Sequence, residues 1–344
     1  MTEEGALGSL YDVILRDYLI EGSEADLYSA LNLGKICVEE EIGPDEIVGL
    51  HLSSIKKLVN ESPQENLSKL LLKSLNLLVE VMVAYGLSYR EYHEAKIQHQ
   101  QLEKELQIAK KIQTSLLPRQ LPQIAGMDLG ARMIPAKEVG GDYYNLLAFE
   151  EDKLGVWIGD VSGKSIPAAM LISMLKYALQ AFTFKKEMYS EPEKLVTQLN
   201  NLIVKDINPE YFITLFYTYI DIKRGEFFFT AAGHDPVIHF RRDRMRCDEL
   251  RTDGVVLGVL EDYVYEQKKG ICAAGDILVF YTDGVTEARD TSGNQFGLSR
   301  LKAMVSKNAD LTAQDLVDRL INHVLNHSQM KFFDDITLVV VKMK

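Results

Sequence analysis

The chain has 344 residues, 47% of them hydrophobic, enough for at least two domains with sizeable cores. Its 38 basic and 50 acidic side chains leave a formal net charge of −12, which argues against a nucleic-acid binder because phosphate backbones are held by a local Lys/Arg excess. The scattered cysteines Cys37, Cys247 and Cys272 argue against a disulfide scaffold or a thiolate zinc site and suit a reducing cytoplasm, while the N-terminus lacks a signal-peptide pattern and no run reads as a membrane span.

From about Leu10 to Gly86 the apolar residues recur at helical spacing. Tyr11, Ile14, Leu15, Tyr18 and Leu19 form one stripe, and Leu27, Ala30, Leu31 and Leu33 a second. Ile47, Leu50, Ile55 and Leu58 form a third, whose helix can start at Asp45 after Gly43-Pro44. A fourth segment, Leu70 to Tyr85, is apolar on most faces. Such a helix is either buried in a four-helix core or shared with a second copy as a dimer interface.

Composition turns polar from Leu87 to Leu116. Positions 92, 95, 99, 102, 106, 109, 113 and 116 follow coiled-coil spacing, with His99 and Gln113 as polar interruptions of the seam. This pattern predicts a linker helix paired in a dimer, with a solvated connector as the alternative. Beyond Pro118 and Pro122 the periodicity becomes that of strands. Leu129, Ala131 and Met133 alternate, and Leu154–Ile158, Ile213–Ile220, Phe227–Ala232, Val237–Phe240, Ile277–Tyr281 and Ile336–Lys342 read as strands. Helices are expected over Ser165–Phe182, Pro192–Val204 and Leu311–Leu325. Hairpins mixed with a few non-alternating helices predict an α+β domain of two sheets with helices outside. The expected division is a helical regulatory and dimerisation domain (1–86), a coiled-coil linker helix (87–120) and a sandwich domain (121–344).

Four carboxylates in this last part stand beside strands and glycine turns: Asp142 in Gly140-Gly141-Asp142, Asp160 in Ile158-Gly159-Asp160-Val161-Ser162-Gly163-Lys164, Asp283 in Tyr281-Thr282-Asp283-Gly284, and Asp334 in Asp334-Asp335-Ile336. Any one alone reads more readily as a capping or turn aspartate, with Ser165 as the N-cap of the helix that follows Asp160. Together they suit hard divalent cations, which prefer carboxylate, carbonyl and water oxygens. A pair of such ions activates water for in-line attack on phosphorus and offsets phosphoryl charge. No zinc-type His/Cys spacing and no nucleophile elbow occur. Gly163-Lys164-Ser165 ends like a phosphate-binding loop but lacks its earlier glycine.

These motifs, with Ala232-Gly233-His234-Asp235-Pro236, stand in the order of the bacterial PPM/PP2C-like serine phosphatases of the SpoIIE/RsbU group, which the chain resembles. Leu78-Val79-Glu80-Val81-Met82-Val83-Ala84-Tyr85-Gly86 and Ala109-Lys110-Lys111-Ile112-Gln113 extend the resemblance to the N-terminal part. The resemblance implies an α-β-β-α sandwich and a Mn²⁺- or Mg²⁺-dependent phosphatase with two ions. Asp160 would bridge the ions, with the Val161 carbonyl on the second. Asp283 and Asp334 would hold the first, and Asp142 would support the site directly or through water. Asp160 and Asp283 are then the catalytic carboxylates, Asp335 lies behind them, and Lys137 is a candidate for substrate phosphate. Ser162 stands where eukaryotic relatives carry a histidine, which leaves the proton donor to water, and His234 reads as structural. By the same resemblance the substrate is a phosphoserine anti-anti-sigma factor with a STAS domain (RsbV-like). An RsbT-like, kinase-like activator binds the N-terminal bundle of a cytoplasmic homodimer. A non-catalytic dimeric adaptor with a degenerate phosphatase fold is the competing reading.

Overall fold

The computed structural model describes residues 3–61, 67–137, 139–150, 152–163 and 166–344. The expected cap Ser165 and its neighbour Lys164 lie outside the described residues. Contacts divide the chain into two compact units, Met1–Lys104 and Glu105–Lys344.

The first unit is helical. It holds α1 (Glu3–Ile20), α2 (Glu24–Glu39), α3 (Pro44–Glu61) and the first part of α4 (Leu67–Leu116). Ser23 caps α2 in a capping box with Asp26, which satisfies backbone donors that the first turn cannot use. The helices close on Tyr11, Leu15, Leu33, Ile47, Leu77 and Val81. Tyr11 and His51, both buried, meet through a hydroxyl–imidazole hydrogen bond of 3.0 Å. On α4, Leu72, Leu75, Val79 and Val83 are exposed.

Two segments of different composition were expected between residues 70 and 117, yet they form a single 50-residue helix. Between Leu67 and Leu116 only Gly86 weakens it, at about 1 kcal/mol relative to alanine, and no proline interrupts it. Contrary to the expectation that no run is long and apolar enough to span a membrane, α4 contains an 18-residue window with a mean hydropathy of 1.6.

The second unit is a sandwich. After the end of α4 come β1 (Met127–Ile134), β2 (Asp142–Glu150), β3 (Lys153–Val161), α5 (Ile166–Phe182), α6 (Lys186–Tyr189), α7 (Pro192–Ile203), β4 (Ile213–Asp221), β5 (Glu226–Ala232), β6 (Val237–Arg241), β7 (Arg246–Leu250), β8 (Lys268–Ile271), β9 (Ile277–Tyr281), α8 (Asp283–Thr286), α9 (Leu298–Lys307), α10 (Ala313–His327) and β10 (Ile336–Met343). One sheet has the order β1-β10-β9-β6-β7 and the other β2-β3-β4-β5-β8. Among the described residues, neighbouring strands in both sheets pair antiparallel. Ile158, Phe216, Phe229, Leu278, Phe280 and Val339 fill the space between the sheets. Helices α5 and α7 cover the outer face of the second sheet through Ile172, Leu175, Leu195 and Leu199. Helices α9 and α10 cover the outer face of the first through Leu301, Leu316, Leu320 and Val324. This is the α-β-β-α arrangement expected.

Strands β2, β7 and β8 and helix α9 escape the periodicity reading. The sequences Arg-Cys-Asp-Glu-Leu and Lys-Lys-Gly-Ile of β7 and β8 lie at sheet edges. Edge strands carry charge that blunts further pairing, and so they read as loops.

Candidate active site

The four carboxylates come from both sheets. Asp142 opens β2 and Asp160 lies near the end of β3, and the two are directly opposite each other in the β2–β3 register. Directly opposed residues of an antiparallel pair project on the same face. Asp283 follows β9 and opens the short helix α8, and Asp334 lies two residues before β10. Asp160 and Asp283 line one cavity of about 100 Å³ together with Thr214, Gly233, His234 and Asp235.

Glycines make this approach possible. A Cβ on Gly141 would stand 2.7 Å from the Val161 carbonyl oxygen, 2.9 Å from Asp160 Oδ1 and 3.2 Å from the Gly163 carbonyl oxygen. Three hard oxygens therefore gather around the space that Gly141 leaves open. At Gly284 a Cβ would lie 2.0 Å from the Asp335 carbonyl oxygen and 3.2 Å from Asp334 Cβ. That contact lets the turn after β9 close on the entry to β10.

Asp335 organises the turn before β2. Its carboxylate accepts the backbone N–H of Ala136 at 2.7 Å, that of Gly141, and that of Asp142 at 3.3 Å. The side chain of Gln113, in the last turn of α4 and buried, grips the same turn from the other side. Its Nε2 donates to the Gly140 carbonyl at 2.6 Å, and its Oε1 accepts the Gly140 N–H at 2.9 Å. Leu116, one turn on, is buried in the core beneath α5, and Lys176 of α5 donates to its carbonyl at 2.6 Å. Positions 113 and 116, read in the sequence as coiled-coil seam, are thus occupied within this unit.

The electrostatics are those of crowded carboxylates. Asp142 is fully buried, and burial followed by the charges of Asp160 and Asp335 raises its pKa well above the usual range. The hydroxyls of Thr282 (2.7 Å) and Thr337 (2.5 Å) both donate to its Oδ2 and oppose that rise. Burial, Asp334, Glu287 and Asp235 push Asp283 up to about 6, and its Oδ1 is buried without a hydrogen-bond partner. Asp235 is raised by burial and Glu287, with Arg251 opposing. Hard oxygens with unrelieved mutual repulsion and an orphaned carboxylate oxygen suit a divalent cation. Among the described residues no three acidic, imidazole or thiol groups converge on one point. An ion here would therefore complete its shell with backbone oxygens and water, as small hard cations do.

The remaining expected residues divide. Lys137 is exposed, and among the described residues it forms no hydrogen bond or ion pair. The Ser162 hydroxyl accepts the Phe212 N–H at 2.8 Å, which ties the loop after β3 to the start of β4. His234 sits between Thr214 Oγ1 (2.8 Å from Nδ1) and the Tyr281 carbonyl (3.2 Å from Nε2). A carbonyl only accepts, so Nε2 carries the proton and Nδ1 accepts from the threonine. Burial holds the ring neutral, with its pKa lowered to about 4. Sequence reading missed Thr282, Thr337, Thr214 and Asp235, and it misread Gln113. For Asp235 a signal existed, since it lies within the Gly233-His234-Asp235-Pro236 motif. Thr282 likewise lies within the Tyr281-Thr282-Asp283-Gly284 motif, whereas Thr214 and Thr337, within strands, carry none.

Two family models match the chain. The Stage II sporulation protein E (SpoIIE) model covers residues 150–344, and that of the N-terminal domain of phosphoserine phosphatase RsbU covers residues 9–88. The chain is 32% identical over 336 residues to phosphoserine phosphatase RsbU of Bacillus subtilis (strain 168), spanning 97% of each chain. It belongs to the RsbU family of PP2C-like serine phosphatases. The SiaA-PP2C domain of Pseudomonas aeruginosa shares the fold at a TM-score of 0.64 and 19% identity, over 72% of this chain and 99% of that one. The RsbU and RsbW domains of Rv1364c from Mycobacterium tuberculosis match at a TM-score of 0.54 and 25% identity, over 65% and 62%. As an RsbU-type enzyme the protein is a phosphoserine phosphatase, and PP2C-like phosphatases use divalent metals. Its acidic site, where the lining imidazole of His234 has both nitrogens engaged, fits such ions.

Proposed function

We propose that this RsbU-type enzyme removes phosphate from a phosphoserine on an anti-anti-sigma factor of the STAS type, using two Mn²⁺ or Mg²⁺ ions. A kinase-like activator would bind its N-terminal helices, and the enzyme would act as a cytoplasmic homodimer. The observation that carries the reading is the cavity shared by Asp160 and Asp283, which come from opposite sheets, with Asp283 Oδ1 buried and lacking a donor. Asp160 would bridge the ions, and the Val161 carbonyl, beside Asp160 Oδ1 at Gly141, would face the second. Asp283 and Asp334, whose charges repel each other, would share the first. Asp142, with one oxygen taken by two threonine hydroxyls, would support the site through the other. When bound, such ions supply an activated water and offset charge on the phosphoryl oxygens.

His234 has both ring nitrogens engaged and stays neutral, so it offers no proton to the leaving serine, and solvent supplies it. Lys137, exposed one residue after the Ala136 amide that Asp335 holds, is available to meet substrate phosphate.

The exposed apolar residues of α4 between Leu72 and Val83 support pairing of two copies. An RsbU domain and an RsbW domain share one chain in Rv1364c, which supports a protein partner from the same regulatory system. The same α4 that carries this face ends at the catalytic turn, which supports coupling along the helix. An activator can shift such a balance only through differential affinity for the two states.

The test is phosphate release from phosphorylated STAS-domain protein across a Mn²⁺ series, with and without the kinase-like activator. Release that needs Mn²⁺ and rises with activator is expected. No release at any Mn²⁺ or Mg²⁺ concentration, with activator present, refutes the reading.

A further inference from the structure

Gln113 satisfies both backbone groups of Gly140, and few side chains can do that. A primary carboxamide presents a donor and an acceptor side by side in one plane without needing to take up a proton. The geometry is two-point, at 2.6 and 2.9 Å, and buried. It fixes both the position and the tilt of the Gly140 peptide groups. The next residue, Gly141, donates its N–H to Asp335, and its carbonyl accepts the Val161 N–H at 2.9 Å. Its vacant Cβ position is where Val161 O and Asp160 Oδ1 meet. A tilt at Gly140 therefore moves the neighbour that spaces these two oxygens.

We propose that Gln113 is a positioning residue of the metal centre, setting the spacing of Asp160 Oδ1 and Val161 O through the Gly140–Gly141 turn. The inference rests on the metal-site reading above. It differs from ordinary helix docking, because Leu116 and its Lys176-capped carbonyl anchor the helix end independently. Loss of the carboxamide should leave the helix end seated while the turn loses its template.

The experiment uses the full-length protein and reads Mn²⁺ binding by calorimetry in wild type, Gln113→Leu and Gln113→Glu. Thermal melts in chelator check folding. The leucine variant keeps the side chain's approximate volume and loses both bonds. Its apparent Mn²⁺ Kd should rise roughly 10–100-fold, the range seen when groups supporting metal ligands are removed. The half-saturating Mn²⁺ concentration for turnover should rise in parallel, by more than any fall in turnover at saturation. Gln113→Glu keeps the acceptor for the Gly140 N–H and should fall between the two. Wild-type Mn²⁺ affinity in a cooperatively melting leucine variant overturns the proposal. Should that variant not melt cooperatively, Gln113→Met, which also keeps the approximate volume and loses both bonds, decides, and wild-type affinity there overturns it equally. Absence of Mn²⁺ binding by wild type would instead overturn the metal-site reading itself.

Discussion

Gly141→Ala tests the cradle most directly. The backbone at Gly141 is not in the left-handed region, so alanine meets no conformational penalty there. The obstacle is space, since the new methyl would sit 2.7 Å from Val161 O and 2.9 Å from Asp160 Oδ1. Ordinary carbon–oxygen contact needs roughly 3.3 Å, so each oxygen must retreat by about half an ångström, an overpacking cost of about 1–3 kcal/mol. That is a fraction of the roughly 5–15 kcal/mol that holds a typical fold, so the protein should still fold, with Tm lowered by about 2–10 °C. Small divalent ions hold near-ideal distances, so displacement of two oxygens should weaken Mn²⁺ binding by roughly 10–100-fold. The assay is phosphate release over a Mn²⁺ series, with parallel melts in chelator and in excess Mn²⁺. The mutant should need more Mn²⁺ for half-maximal rate and gain less thermal stability from it. A lowered Tm in chelator with wild-type Mn²⁺ dependence would refute the reasoning, because the methyl would then disturb packing without touching the site.

Asp160→Asn and Asp283→Asn should each abolish phosphate release in excess Mn²⁺ and melt no lower than wild type in chelator, since carboxylate repulsion falls. Activity near wild type in both would remove these residues from the mechanism. A fragment of residues 105–344 should melt higher than one of residues 121–344, which lacks Gln113 and the buried Leu116. The loss is about 3–5 kcal/mol, or of the order of 10 °C, from one buried leucine and an unpaired Gly140 peptide, and equal melting temperatures would contradict it. His239 donates to Asp276 at 3.1 Å with both side chains buried, and burial lowers the imidazole pKa despite that partner. The unfolded chain then takes up a proton that the folded one does not, so this contribution to stability is whole above about pH 6.5 and declines as pH falls below it. Urea midpoints at pH 7.5 and 5.5 should therefore converge in His239→Gln, and an unchanged acid sensitivity would rule the residue out.

Much of the sandwich was legible in the sequence because its strands are short apolar runs bounded by glycine turns. Ile277–Tyr281 and Ile336–Lys342 needed no structure to find. The carboxylates were legible only as a set: one aspartate at a strand end beside glycine reads as a cap or turn residue, but four in one domain do not. What pairs them was not legible. The register that sets Asp142 against Asp160 is a property of two strands, and Asp142 sits on one that periodicity missed. Thr282 looks like an ordinary cap and Thr337 like an ordinary strand residue until their hydroxyls are seen on Asp142. Gln113 was misread for an instructive reason. It falls on a seam position of a plausible coiled coil, where a polar residue signals weak pairing, and nothing local reveals that its amide faces a turn 27 residues later. His99 remains an exposed polar seam position, within 3.3 Å of Glu103.

The two halves of the proposed catalytic site ride on different sheets, and between those sheets lies a layer of interlocked aromatic rings. Phe216 meets Phe229 at 5.7 Å and Phe280 edge-on at 6.1 Å. The gap between the strands that lead to Asp160 and Asp283 is thus gauged by the thickness of a greasy slab. An ion seated there would act as a clasp holding two leaves of a book together. Trimming one ring in the slab, far from any phosphate, should consequently show first as a change in appetite for metal, before it shows as a change in fold.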